Sequence, residues 1–229
     1  IEKNKARAST AKMAKSREKK LAKIEKLDKQ VKLAKPNFAF SYKELNDTDV
    51  LEVSNLTVGY YYPLLKNVCF KIRKQEKIAL IGFNGLGKST LIKTILGYIP
   101  SLGGNVTLSS HLQINYFEQD LKWDDDSLTP IKYLERKYPT KNNKEIRSVL
   151  AKSALKSEHQ MQNIKTLSGG EQAKIKIAEL MLKPSNLLIL DEPTNHLDEL
   201  AKESLQEAIK NYDGALILVS HDEDFYKSL

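Results

Sequence analysis

The nine residues from Gly82 to Thr90, Gly-Phe-Asn-Gly-Leu-Gly-Lys-Ser-Thr, constrain this chain more than any other stretch. A glycine, four residues and then Gly87, Lys88 and Ser89 is the spacing of a phosphate-binding loop. An apolar run precedes it at 78–81 and another follows at 91–96, which predicts a buried strand, a turn, and a helix opening at Lys88. Gly82, Gly85 and Gly87, with Asn84 and Thr90 beside them, let backbone N–H groups converge on phosphate oxygens, and the helix turns its positive end to the same anion. Lys88 would reach the outer phosphates as a point charge, and the Ser89 hydroxyl would ligate Mg²⁺. The alternative is a tight turn that needs glycine and binds nothing; spacing and both flanks favour the nucleotide-binding form.

With 229 residues the chain can hold one large or two small domains. Its single cysteine, Cys69, excludes an internal disulfide and suits a reducing compartment. No apolar run is long enough to span a bilayer and no signal peptide is visible, so membrane insertion is not expected. A start at Ile1 suggests part of a longer protein.

The charge is unevenly placed. Residues 1–35 hold 13 Lys or Arg against 4 Asp or Glu, a balance of +9, while the remainder is at −1. This first segment lacks Gly and Pro and is rich in helix formers. Leu21, Ile24, Leu27 and Val31 form one apolar stripe along its second half. In its first half, Ala6, Ala8, Ala11 and Ala14 alternate with Lys5, Arg7, Lys12, Lys15 and Arg17, a half expected to project into solvent or onto nucleic acid. The plain alternative is a solvated charged helix. Pro36 ends the arm, and 36–49 reads as a connecting loop.

From Val50 the apolar period becomes two. Leu51, Val53 and Leu56, then 65–72, then 77–81 read as antiparallel strands leading into a central phosphate-loop strand, with a turn at 73–76. Tyr60 is the expected purine-stacking residue; Tyr61 and Tyr62 suit a turn covering core edges. Gln119, closing a strand pattern, could coordinate Mg²⁺ through its amide oxygen. A helical subdomain is expected over about 121–182, with helices at 131–137 and 143–155, and Asp124–Asp126 as a loop or helix start. Ser168, Gly169, Gly170 and Glu171 precede a helical pattern at 173–182, a second N-terminus suited to an anion. The apolar strand 187–190 then delivers Asp191, for Mg²⁺, and Glu192, to polarise the attacking water. A turn runs to Asp198, an amphipathic helix covers 201–211, and the strand 215–219 ends near His221, placed to hydrogen-bond a terminal phosphate.

These motifs, in this order, resemble the ATP-binding cassette ATPases, and the resemblance covers residues 50–229. The run Asp-Glu-Pro-Thr-Asn-His-Leu-Asp at 191–198 is similar to the ABC-F branch, in which two cassettes are joined by a helical linker; residues 1–35 resemble the returning arm of that linker. The resemblance implies an α/β cassette fold: a mixed parallel core sheet with flanking helices, an antiparallel β subdomain and a small helical subdomain, preceded by a basic helical arm. It implies Mg²⁺-dependent ATP hydrolysis with Lys88, Glu192 and His221 as catalytic residues. Ser168 to Glu171 would face ATP held by a second cassette, and Asp198 would form a turn against it, so the missing first cassette or a head-to-tail dimer is the implied partner. Ribosome and tRNA are the further partners implied, with ATP turnover weak in an isolated cassette. Gln75 stands where the family commonly has glycine, Phe83 and Lys174 differ from commoner residues, and the chain stops soon after His221. A transporter's nucleotide-binding subunit shares every cassette motif and is the alternative function; a DNA-repair ATPase and a scaffold that binds ATP without hydrolysing it are weaker ones.

Overall fold

The computed structural model describes residues 35–227; the arm residues Arg7, Lys12, Lys15 and Arg17 and the stripe from Leu21 to Val31 lie outside them. Seven strands and six α-helices follow in the order β1 (Asp49–Gly59), β2 (Pro63–Arg73), β3 (Lys77–Leu80), α1 (Lys88–Ile95), β4 (Gly103–Leu108), β5 (Ile114–Phe117), α2 (Pro130–Lys137), α3 (Asn143–Lys152), α4 (Gly169–Leu182), β6 (Leu187–Asp191), α5 (Glu199–Lys210), β7 (Ala215–Val219) and α6 (Glu223–Lys227). They build two sheets. One is antiparallel in the order β2-β1-β4, the other parallel in the order β3-β7-β6-β5.

Burial explains the parallel sheet. Every residue of β6 and β7 is buried, and their Leu- and Ile-rich runs are what strands covered on both faces require. On one face, Leu187, Ile189, Ala215, Ile217 and Val219 pack with Leu91, Ile92 and Ile95 of α1 and with the inward residues of β1. On the other, Leu188, Leu190, Leu216 and Leu218 meet apolar residues of α4 and α5. Helix α4 also turns Ile175, Ala178 and Leu182 toward α2 and α3, so it is apolar nearly all round. Segment 36–48 has no helix or strand, yet Phe38 and Leu45 are buried and Tyr42 bridges Ser185.

Two strand expectations are corrected. β3 is neither central nor antiparallel: it pairs in parallel with β7 alone, at one end of the described sheet, and Ile81 lies beyond it and exposed. A period of two reveals burial, not the direction of the neighbouring strand. The turn at 73–76 therefore carries the chain from one sheet to the other. Lys77, at the foot of β3, reaches across and donates to the carbonyls of Ile209 (2.8 Å) and Lys210 (2.9 Å) at the end of α5. Burial holds its ammonium below the usual lysine range.

Gln75 in that turn sits at φ 63°, the left-handed region that suits glycine. We expect Gln75→Gly to raise stability by about 0.5–1 kcal/mol, relief of the left-handed strain outweighing the added freedom of the unfolded chain. Thermal unfolding checks this, and a lower melting point would show that the glutamine side chain stabilises the turn. Among the described residues no helix is long and apolar enough to cross a membrane.

Candidate functional site

The loop after β3 has the backbone that its glycines allow. Gly85 and Gly87 lie at φ 84° and 92°, and Gly87 is the N-cap of α1. No side chain caps that helix and its first turn carries no acid, so its N-terminal field is not offset locally. A β-carbon at Gly87 would sit 3.2 Å from the Leu64 Cβ, which also holds the position to glycine. The Lys88 ammonium arches back and donates to the carbonyls of Gly82 (2.6 Å) and Phe83 (3.0 Å). A cavity of about 280 Å³ opens here, lined by Asn84, Gly85, Gly87, Lys88, Ser89 and Thr90, with Gln119, Glu192, Leu64 and Val219.

Two carboxylates end β6 at this place. Asp191 is fully buried and Glu192 is 4% exposed. Glu192 adopts φ 51°, uncommon for a side chain of its size, with its N–H donating to the Val219 carbonyl at 2.9 Å. Its Oε2 lies 2.7 Å from His221 Nδ1. Both Asp191 oxygens and Glu192 Oε1 are buried without a hydrogen-bond partner among the described residues. Burial, and next to it the Glu192 charge, raise the Asp191 pKa, with the Ser89 hydroxyl and the Lys93 and Lys88 ammonium groups pulling the other way.

Orphaned, buried carboxylate oxygens beside a serine hydroxyl and a glutamine fit a hard cation. No group of three or more His, Cys, Asp or Glu among the described residues could hold a metal. The donor set is one hydroxyl, one amide oxygen and one carboxylate, which suits Mg²⁺ shared with nucleotide phosphates rather than a cation caged by protein alone.

Tyr60 lies at the tip of the β1–β2 hairpin and is not among the cavity-lining residues. Tyr61 and Tyr62 do not cover core edges: they are 94% and 82% exposed. Gly59 pairs directly with Pro63, which leaves residues 60–62 projecting as the turn. His221 borders the site through Glu192.

Ser168, Gly169, Gly170, Glu171 and Asp198 form a second cluster and do not line the cavity. Ser168 caps α4 in a reciprocal box with Glu171, which His159 also contacts. A β-carbon at Gly170 would lie 2.7 Å from the His196 carbonyl, so the turn before α5 rests on these glycines. Asp198 caps α5 by accepting from the Ala201 N–H at 2.9 Å and pairs with Lys174 at 2.8 Å. Sequence reasoning missed Leu64, Val219 and His196. The first two carry no polar signal, and His196 was passed over as one member of a turn.

Burial pushes the Asp198 carboxyl up, but the Lys174 hydrogen bond, the Ala201 N–H and the Lys174 charge outweigh it and hold the pKa below the usual value. A depressed carboxyl contributes stability above its unfolded pKa and loses it as pH falls through the folded value. Asp198→Ala should therefore cost about 1 kcal/mol at neutral pH. The difference from wild type should close below about pH 4. Urea unfolding at both pH values checks it, and a gap that persists in acid would remove the charge from the account.

Comparison with known proteins agrees with this arrangement. The sequence profile described as ABC transporter matches residues 65–195, more than half of the chain, and a second profile of that description matches residues 1–40. This chain belongs to the ATP-binding cassette family. YfmM of Bacillus subtilis, an uncharacterized ABC transporter ATP-binding protein, is 41% identical over all of this chain and 44% of its own length. ABC transporter F family member 2 of Arabidopsis thaliana is 38% identical over 99% of this chain and 33% of its own. These relatives include an F-family member, and the chain spans less than half the length of either. A dimeric ATP-binding cassette solved in a post-hydrolysis state with ADP and Pi superposes with a TM-score of 0.66 at 21% identity, over 78% of this chain and 90% of that one. The ATP-binding cassette is an ATPase domain with ATP and Mg²⁺ as its ligands.

Proposed function

We propose that this cassette binds and hydrolyses ATP as one half of a two-cassette ABC-F protein that works in the cytoplasm on the ribosome. The observation that carries the catalytic reading is Glu192: buried, with one oxygen held by His221 and the other without a partner among the described residues, and lining the same cavity as the phosphate loop. Glu192 Oε1 accepts the proton of the attacking water, and His221 fixes the orientation of that carboxylate. The open end of α1 and Lys88 bind and orient the phosphates, with Tyr60 as the base-stacking residue. Ser89, Gln119 and Asp191 would hold Mg²⁺, which when bound neutralises developing phosphate charge.

The second cluster serves a partner cassette: Ser168 to Glu171 face ATP bound there, with the Asp198 turn beside them. Isolated, the chain should bind ATP and turn it over poorly; brisk hydrolysis by a size-verified monomer would show the site complete without a partner. The ribosomal part rests on the basic segment 1–35 and on the F-family relatives. Arg7, Lys12, Lys15 and Arg17 neutralise RNA phosphates, tRNA included, and each neutralised phosphate steepens the salt dependence of binding by a little under one unit.

The test is ribosome co-sedimentation across a salt series. It uses the two-cassette protein with Glu192→Gln and the equivalent change in its other cassette, with ATP. ATP-dependent association that weakens when the four basic residues are neutralised supports the reading. No association at any salt overturns the ribosomal part and leaves a transporter's nucleotide-binding subunit as the alternative.

A further inference from the structure

The Tyr116 hydroxyl is a buried polar group that none of the roles above uses. Tyr116 sits in β5, opposite Ile189 of β6, so the pleat places its side chain on the face of the sheet that carries Ile189 and, two residues on, Asp191. That is the face against which Ile92 and Ile95 of α1 pack, and the Tyr116 ring contributes to the same cluster. Tyr98 holds the ring from outside, with centroids 6.4 Å apart. The phenol oxygen is buried with no hydrogen-bond partner among the described residues, as are both oxygens of Asp191.

A buried hydroxyl without a partner keeps the full cost of its lost hydration, and so does each buried carboxylate oxygen left bare. The two groups answer one another: one offers a proton, the other only lone pairs. They lie on one face of neighbouring strands, Tyr116 level with Ile189 and Asp191 two residues further along β6.

We propose that Tyr116 is a positioning residue for Asp191, its hydroxyl donating to one carboxylate oxygen so that the other is presented toward Ser89 and the cation. This rests on the Mg²⁺-ATP reading of the site. Ser89, at the start of α1, approaches Asp191 from the loop side, while Tyr116 approaches along the sheet from the neighbouring strand. Asp191 is thereby held between a ligand of the cation and an orienting donor, the arrangement in which removing the outer partner weakens metal binding about 10- to 100-fold.

The experiment uses the full two-cassette protein with Tyr116→Phe and measures ATP affinity by calorimetry in EDTA and across a Mg²⁺ titration, with Mn²⁺ as an electron-paramagnetic probe of the bound cation. The expected result is unchanged affinity in EDTA, a half-saturating Mg²⁺ concentration raised about tenfold, and an altered Mn²⁺ spectrum. Asp191→Asn and the double variant close the cycle: once Asp191→Asn is present, Tyr116→Phe should add nothing further, whereas a role in packing alone would add its full effect in both backgrounds. The cycle decides even if Tyr116→Phe lowers the melting point. Equal Mg²⁺ dependence in wild type and Tyr116→Phe, or additive effects, would overturn the positioning role alone. A wild-type protein whose ATP affinity ignores Mg²⁺ would overturn it together with the reading of the site.

Discussion

Glu192→Gln in the two-cassette protein is expected to leave ATP binding intact and to lower hydrolysis by about 10²- to 10⁴-fold, the usual range for removing a positioned general base. Glutamine preserves the shape of the side chain and keeps an oxygen or an N–H for His221, so the 2.7 Å contact has a replacement and the fold has little reason to change. What disappears is the lone pair of Oε1, the oxygen that has no other partner among the described residues. Single-turnover rates with radiolabelled ATP, beside equilibrium binding, separate the two effects. A rate within about tenfold of wild type would place the base elsewhere. His221→Ala should fall between these limits, because it loosens the carboxylate without removing it.

The second large effect belongs to Lys88. Its ammonium donates to two loop carbonyls, and it is the cationic side chain lining the cavity. Hydrogen bonds to charged groups are worth about 1.5–3 kcal/mol, so Lys88→Ala should weaken ATP binding by about 10²-fold. Because Lys88 also braces the carbonyls of Gly82 and Phe83, the open loop conformation should become less ordered as well. Lys88→Arg is not expected to rescue, since a planar fork does not fit a seat shaped for three tetrahedral donors. The check is calorimetric titration together with the rise in melting temperature that ATP produces, which should vanish in Lys88→Ala. A Lys88→Ala protein with wild-type affinity would leave the field of α1 alone as the source of phosphate binding.

The elements around these residues were legible where burial and spacing coincide. β6 and β7 are unbroken apolar runs, and each came within a residue of its place. Helix α1 began at Lys88 as its motif required. Direction and neighbours were not legible: β3 has the same alternating look as the antiparallel strands before it, and only the chain's later return as β7 decides that it pairs in parallel. The exposure of Tyr61 and Tyr62 depended on Gly59 closing against Pro63, a register that composition does not encode. Gln75 was readable as an anomaly, and its left-handed backbone is the physical form of it. Side chains that matter through burial alone, such as Tyr116 beside Asp191, carry no motif and required the sheet before they could be seen.

Lys77 and Asp198 grip opposite ends of one helix. Asp198 caps the start of α5, and Lys77 satisfies two carbonyls at its end. Twelve residues make a rod about 18 Å long, with the Asp198 turn at one tip and the foot of the strand that feeds the phosphate loop at the other. Such a rod works as a gauge block. Inserting a single residue would lengthen it by only about 1.5 Å but would twist one tip against the other by about 100°. The serviceable length of this helix is therefore fixed by angle rather than by reach, and variation in the family should substitute residues along α5 far more readily than it adds or removes them.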